Sequence, residues 1–275
     1  MKIALAQMNP EWESKLNNID ICRSFIQKAK KIGVDLIAFP EMTLTGFSMQ
    51  VALTSETIIN GSSFTLDFFR QEAIKHHINV GFGMVQGINP AKNMYYILDE
   101  QGKIILDYSK IHPFSFGEEG NYFIGGDHIE YCLIGDTCIS AFICYDLRFP
   151  EVFSQASKKA DFILVASNWP KSRIDHFTTL LKARAIENQC YIAGVNRVGN
   201  ANHQEYSGNS ALYNIDGIEV SNFIPLDSEE ENFYPVGLLI GEINPEKVAK
   251  RRTEFKVKTD RREDLYHSFY DANNR

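Results

Sequence analysis

The sequence predicts an α/β fold with mixed sheet content. Three observations carry that expectation. Short apolar runs rich in Ile, Val and Phe alternate with segments of helical period. Some of those runs are apolar almost without interruption, the pattern of strands buried on both faces. Other runs are joined in pairs across tight Gly-containing turns, which adds antiparallel hairpins.

The elements follow in order. "KIALAQM" is a first strand. "PEWESKLNNIDICRSFIQKAKKIG" reads as a helix opened by Asn9-Pro10 and closed by Gly33, with Leu16, Ile19, Cys22, Ile26 and Ala29 on one stripe. "DLIAFPE" is a near-continuous apolar strand. "TLDFFRQEAIKHHI" is a helix and "NVGFGMVQGI" a strand. "NMYYILDEQGKIILDYSK" is a hairpin across Glu100-Gln101-Gly102, and "IEYCLIGDTCISAFICY" a second across Gly135-Asp136. "EVFSQASKKA" is helical, "DFILVASNWP" a buried strand, and "DHFTTLLKARAIENQ" a helix from near Asp175. "CYIAGVNRVG" is a strand, "NSALYNIDGIEV" a third hairpin across Asp216-Gly217, and "VGLLIGEI" a late strand. Asn244-Pro245 caps a final helix. No Pro/Gly/Ser linker, repeat or low-complexity run interrupts the pattern, so residues 1–275 read as one domain.

Composition narrows the function. A chain of 275 residues at 44% hydrophobic can bury a substantial core. A net charge of −7 argues against a nucleic-acid partner. The basic stretch from Lys250 to Arg262 is interrupted or flanked by Glu254, Asp260, Glu263 and Asp264, and reads as a solvated tail. No apolar run reaches the roughly 18 residues a membrane helix needs. The N-terminal apolar run is too short for a signal peptide. Five cysteines without CxxC pairs suggest free thiols in a reducing cytoplasm and no metal site. The glycines of "GFGMVQG" lie within a strand rather than before a helix, which argues against a phosphate-binding loop.

Three reactive residues share one kind of position. Glu41 ends "DLIAFPE", Lys110 ends "KIILDYSK" and Cys144 ends "CISAFIC". Each follows an apolar strand at its carboxyl end, where α/β sheets collect catalytic groups. Singly, each has a plain alternative: a small buried hydrophobe for Cys144, a turn cap for Glu41, a surface amine for Lys110. Jointly they make a chemical set. A carboxylate can take the thiol proton and return it to a leaving amine, and an ammonium can hold thiolate and oxyanion.

The segments "AFPEMTLTGF", "YSKIHPF" and "ICYDLRFPEVF", in that order, resemble the three signatures of the nitrilase superfamily, the carbon–nitrogen hydrolases. "SNWP", "HFTTLLKARAIENQCYIAGVNRVG" and "YSGNSALYNIDG" extend the likeness over essentially the whole chain, and "NWP" with "ARAIENQ" is most similar to the ω-amidase branch. The resemblance implies a four-layer α-β-β-α sandwich. It implies a homodimer or higher oligomer, with the C-terminal extension from about residue 244 at the interface. It implies a Glu41-Lys110-Cys144 triad, a thioester intermediate, release of ammonia from a small amide such as α-ketoglutaramate, and no metal or organic cofactor. A supporting glutamate is implied just past the lysine segment, at Glu119 or alternatively Glu118. The oxyanion would also meet the backbone N–H of Tyr145. Asn168 and Trp169 follow a strand end and are expected to line the pocket. Arg173 has two readings, a substrate carboxylate contact and a surface role. Asp146 and Arg148 are expected to pair with each other, with substrate contact as the alternative, and Arg184, Glu187 and Asn188 to brace a helix. A Cys-His protease using His112 or His176 finds no matching nucleophile segment. The same triad would also serve nitrile, N-carbamoyl amine, deaminated-glutathione or aliphatic amide hydrolysis, and a non-catalytic scaffold is the alternative of another class.

Overall fold

The computed structural model describes residues 1–226 and 233–272. β1 (Lys2–Gln7) is buried from Ile3 onward, and its side chains alternate between two faces. Ile3 and Leu5 enter one apolar cluster, Ala4 and Ala6 another. α1 (Lys15–Lys31) covers the second cluster through Asn18, Cys22, Phe25, Ile26 and Ala29. Its face differs from the predicted stripe at Leu16, which is 71% exposed. The helix also starts later than Asn9-Pro10. Residues 11–14 are claimed by a neighbouring loop: Glu13, at φ 56°, donates its N–H to Thr45 O at 2.9 Å, and Asn18 Nδ2 reaches Leu44 O at 2.8 Å.

β2 (Leu36–Ala38), α2 (Val51–Thr54), α3 (Phe64–His76) and β3 (Asn79–Gln86) come next. β4 (Lys92–Leu98) and β5 (Ile104–Ser109) form the first predicted hairpin, β6 (Cys132–Ile134) and β7 (Thr137–Ile143) the second. α4 (Pro150–Ala156), β8 (Phe162–Ser167), α5 (Ile174–Asn188) and β9 (Tyr191–Asn196) match their sequence patterns. β10 (Val198–Ala201) and β11 (Gln204–Ser207) form a small hairpin that the sequence reading lacked. β12 (Ala211–Tyr213) folds back through one bridge, Tyr213 to Glu219. β13 (Asn222–Pro225) pairs instead with β14 (Gly237–Glu242). α6 (Pro245–Glu254) and α7 (Glu263–Ala272) complete the order.

Among the described residues the strands build two large sheets, ordered β13-β14-β1-β2-β3-β4-β5 and β12-β9-β8-β7-β6. Both are mixed: β1, β2 and β3 run parallel, as do β7, β8 and β9, and antiparallel strands complete each edge. The sheets face each other, with β1 against β9 and β4 against β7. Ile3, Leu36, Tyr95 and Ile97 of the first sheet share a cluster with Ile139, Ile163 and Val165 of the second. α1 and α3 cover the outside of the first sheet. α5 covers the second, seating Phe177 and Leu181 over Gly194, whose missing Cβ leaves them room. The order is helix, sheet, sheet, helix, the four-layer sandwich expected.

The basic C-terminal stretch is largely exposed, as expected of a solvated tail, but it is anchored to the domain at Arg252. Asn244 Oδ1 accepts the Glu246 N–H at 2.9 Å and starts α6, as predicted. Arg252 then donates to Ala160 O at 2.8 Å and Gln189 O at 3.2 Å. Backbone carbonyls at element ends take up guanidinium donors that a charge count alone assigns to water.

Candidate active site

Glu41 lies three residues beyond β2, Lys110 directly after β5 and Cys144 directly after β7. The two facing sheets thus bring three strand ends to one place. Lys110 Nζ lies 3.1 Å from Glu41 Oε1 and 2.7 and 3.0 Å from the two carboxylate oxygens of Glu119. All three side chains are buried. Glu118 instead takes φ 62° and points to solvent, so Glu119 is the glutamate beside the lysine. Phe114 N–H fixes Glu119 Oε2 at 2.6 Å.

Asn93, on β4, ties the carboxylates together. Its Nδ2 donates to Glu41 Oε1 at 2.8 Å and to Glu119 Oε1 at 2.9 Å. Asn168 holds Glu41 from the other sheet. Its N–H donates to Glu41 Oε2 at 3.0 Å and its Nδ2 to Glu41 O at 2.7 Å. Gly83 explains the glycines of "GFGMVQG": a Cβ there would meet Met42 N at 2.5 Å. The bare backbone of β3 admits the Glu41 turn.

Cys144 opens a tight turn at φ 44°, a conformation that costs a non-glycine residue energy and persists where its surroundings enforce it. Asp146 supplies the enforcement. Its Oδ2 accepts from Ile143 N at 3.0 Å and Tyr108 Oη at 2.8 Å, and its Oδ1 from His112 N at 3.0 Å, with His112 Nδ1 2.8 Å away. Asp146 and Arg148 therefore do not pair. Side chains two apart diverge, and the buried carboxylate is filled by donors from β5 and the loop after it. Arg148 lies over the Trp169 ring at 4.9 Å and near His176 Nδ1 at 3.3 Å. Arg184 braces the turn from α5, donating to Leu147 O at 2.9 Å and bonding Glu187 at 3.0 Å, and Asn188 Nδ2 donates to Arg184 O at 3.0 Å, the bracing expected of these three.

Cys144 and Lys110 line a cavity of about 70 Å³. Phe47, Phe114, Tyr145, Trp169 and Tyr206 make its walls, with Asn168. Arg148 and Arg173 reach into it, and Arg173 also stacks over Phe114 at 5.9 Å. Tyr145, Asn168, Trp169 and Arg173 all line this space, so of the two readings of Arg173 the structure places it at the cavity.

The carbon-nitrogen hydrolase family model matches residues 2–253. The chain belongs to the carbon–nitrogen hydrolase family. It is 31% identical over 267 residues to the 2-oxoglutaramate amidase of Bacillus subtilis (strain 168), covering 96% of this chain and 98% of that one. It is 34% identical over 220 residues to the omega-amidase YafV of Yersinia enterocolitica, covering 77% and 80%. Among solved structures, a CN-hydrolase superfamily protein of Xanthomonas campestris with an arsenic adduct in its active site has a TM-score of 0.83 at 25% identity, covering 95% of this chain and 97% of that one. An amidase from Nesterenkonia sp. AN1 shares the fold, with a TM-score of 0.83 at 22% identity, covering 98% and 99%.

Charge in this carbon–nitrogen hydrolase is set by burial and neighbours. Burial pushes the Cys144 thiol well above its ordinary pKa and Glu41 adds to that, while Lys110 and the Asn168 N–H pull the other way. Burial alone would depress the Lys110 ammonium, but Glu119 and Glu41 outweigh it and hold the lysine charged, above its usual value. Asn93 and Tyr206 escaped the sequence reading as site residues, and Arg148 takes the cavity position that was the alternative to its pairing with Asp146. Asn93 stands in an apolar strand with no motif around it, and Tyr206 belongs to the unread hairpin.

Proposed function

We propose that the protein is an ω-amidase, hydrolysing the terminal amide of a short 2-oxo acid amide such as 2-oxoglutaramate (α-ketoglutaramate) through a thioester on Cys144. The supporting observation is the pairing of a buried Glu41-Lys110-Glu119 cluster at Cys144 with two arginines in the same narrow cavity. The relatives named 2-oxoglutaramate amidase and omega-amidase point to the same substrate class.

Charge bookkeeping shows why the cluster suits a thiol nucleophile. With both glutamates ionised and the lysine charged, the Glu41-Lys110-Glu119 cluster by itself carries one net negative charge. Losing the thiol proton to bulk water would add a second in a buried space, which is costly. Passing that proton to Glu41 leaves the net charge unchanged. The thiolate attacks the amide carbon, and Lys110 and the Tyr145 backbone N–H receive the oxyanion. Glu41 returns the proton to the leaving ammonia. Water, deprotonated by Glu41 beside Glu119, then releases the acid. Arg148 and Arg173 would meet the substrate carboxylate at the aromatic end of the cavity.

Ammonia release from 2-oxoglutaramate, aliphatic amides and nitriles, and turnover of N-carbamoyl amino acids, test the reading. Preference for 2-oxoglutaramate by at least tenfold in kcat/KM is expected, and preference for an uncharged substrate contradicts it. We also propose that the protein is a homodimer or higher homo-oligomer, as the family resemblance implies. α7 supports that, since Leu265, Tyr266 and Phe269 expose 37%, 39% and 55% of their surface. Light scattering on the wild type and on a chain ending before residue 260 checks it; a monomeric wild type would be inconsistent with it.

A further inference from the structure

One buried polar group of the cavity wall has no part in the mechanism above. Tyr206 is 4% exposed and lines the cavity with Cys144, Lys110 and Arg173. It stands on β11 opposite Gly199 of β10. Behind its ring lies Arg197, fully buried, with the guanidinium carbon 4.8 Å from the ring centroid. Arg197 Nε donates to Val198 O at 3.2 Å and Nη2 to Pro10 O at 3.1 Å. Its Nη1 has no hydrogen-bond partner among the described residues. Burial lowers its pKa to about 10, so it remains a cation at neutral pH.

A buried cation without an anion is unfavourable. Here the electron-rich face of Tyr206 is what meets it, and that contact fixes the ring plane. The hydroxyl is left without a protein acceptor among the described residues. Burial pushes its pKa up to about 12, with Arg197, Cys144, Glu41 and Arg173 as further influences. It is therefore a neutral donor within electrostatic reach of both the reactive centre and Arg173. A site that presents an unsatisfied donor rejects ligands lacking the matching acceptor.

We propose that Tyr206 is a specificity-determining residue whose hydroxyl donates a hydrogen bond to an oxygen at the acid end of the amide substrate, beside Arg173. This rests on the ω-amidase reading. A 2-oxo acid amide offers carboxylate and keto oxygens there, whereas a plain aliphatic amide offers none and leaves the hydroxyl unpaired.

Tyr206→Phe keeps the ring and its contact with Arg197 and deletes only the donor. The ratio of kcat/KM for 2-oxoglutaramate to that for butyramide is expected to fall about tenfold or more. Equal loss on both amides, or no loss on either, overturns the assignment. A second readout is independent of amide turnover: protection of Cys144 from iodoacetamide by 2-oxoglutarate, which should weaken about tenfold in Tyr206→Phe. Equal protection of both proteins, or none of the wild type, overturns it too. A wild type that is protected by 2-oxoglutarate yet releases no ammonia from 2-oxoglutaramate refutes the ω-amidase reading alone, and the protection ratio then decides for or against Tyr206.

Discussion

Replacing Lys110 by methionine tests the buried charge cluster most sharply. Methionine keeps the length of the stem and removes the ammonium. In the wild type that ammonium touches three carboxylate oxygens between 2.7 and 3.1 Å, with the side chains of Lys110, Glu41 and Glu119 at 1%, 0% and 0% exposure. At an effective dielectric of about 20, each pair is worth roughly 5 kcal/mol of Coulomb energy. The desolvation of the ammonium, several kcal/mol, offsets part of that. What remains after substitution is two buried carboxylates bridged only by Asn93. Removing one partner of such a buried set costs about 3–5 kcal/mol. Urea unfolding followed by the fluorescence of Trp12 and Trp169 measures it. The double variant Lys110→Met/Glu119→Gln should recover a large part of the loss, because one orphaned charge is gone. A single-variant cost below about 1 kcal/mol, with an additive double variant, would refute the reasoning.

Other expectations follow from the same contacts. Glu41→Gln removes the carboxylate that receives the Cys144 proton and returns it to the leaving ammonia, so amide turnover should fall by about two to four orders of magnitude; turnover within about tenfold of the wild type would contradict the assigned base role. Gly83→Ala places a Cβ 2.5 Å from Met42 N and should cost about 1–3 kcal/mol by urea unfolding, together with activity; a neutral substitution would mean that the Glu41 turn is loosely seated. Burial, with help from Arg252, pulls the Lys258 ammonium down from 10.5 to about 8. Folding therefore works against its charged form, a penalty complete below about pH 8 and lifted as pH rises toward 10.5, where the unfolded chain still holds the proton that the fold has released. The Tm of the wild type should accordingly rise relative to Lys258→Met between about pH 7 and pH 10; a constant difference would contradict that placement.

The strands and the reactive residues were legible because burial on both faces writes a continuous apolar run, and each reactive group breaks its run at the same end. Contacts between distant segments were not. Glu119 and Glu118 are chemically alike in sequence, and only the left-handed backbone at Glu118 turns one inward and the other out. Asp146 and Arg148 look like a pair on paper, yet the buried carboxylate is satisfied by Tyr108 and His112 from a strand end more than thirty residues away. Leu16 fits a helical stripe but loses its place because the first turn is replaced by bonds to the Thr45 loop. Asn93 is invisible to periodicity, since its two carboxylate partners come from separate loops.

The central claim is that Cys144 carries the acyl group. Acid-quenched intact-mass analysis during turnover of 2-oxoglutaramate tests it directly. The expected result is a transient adduct with the mass of the substrate less ammonia, mapped to Cys144 and absent in Cys144→Ala, which should stay folded and inactive. Sustained turnover by Cys144→Ala, or an adduct on another residue, would contradict it.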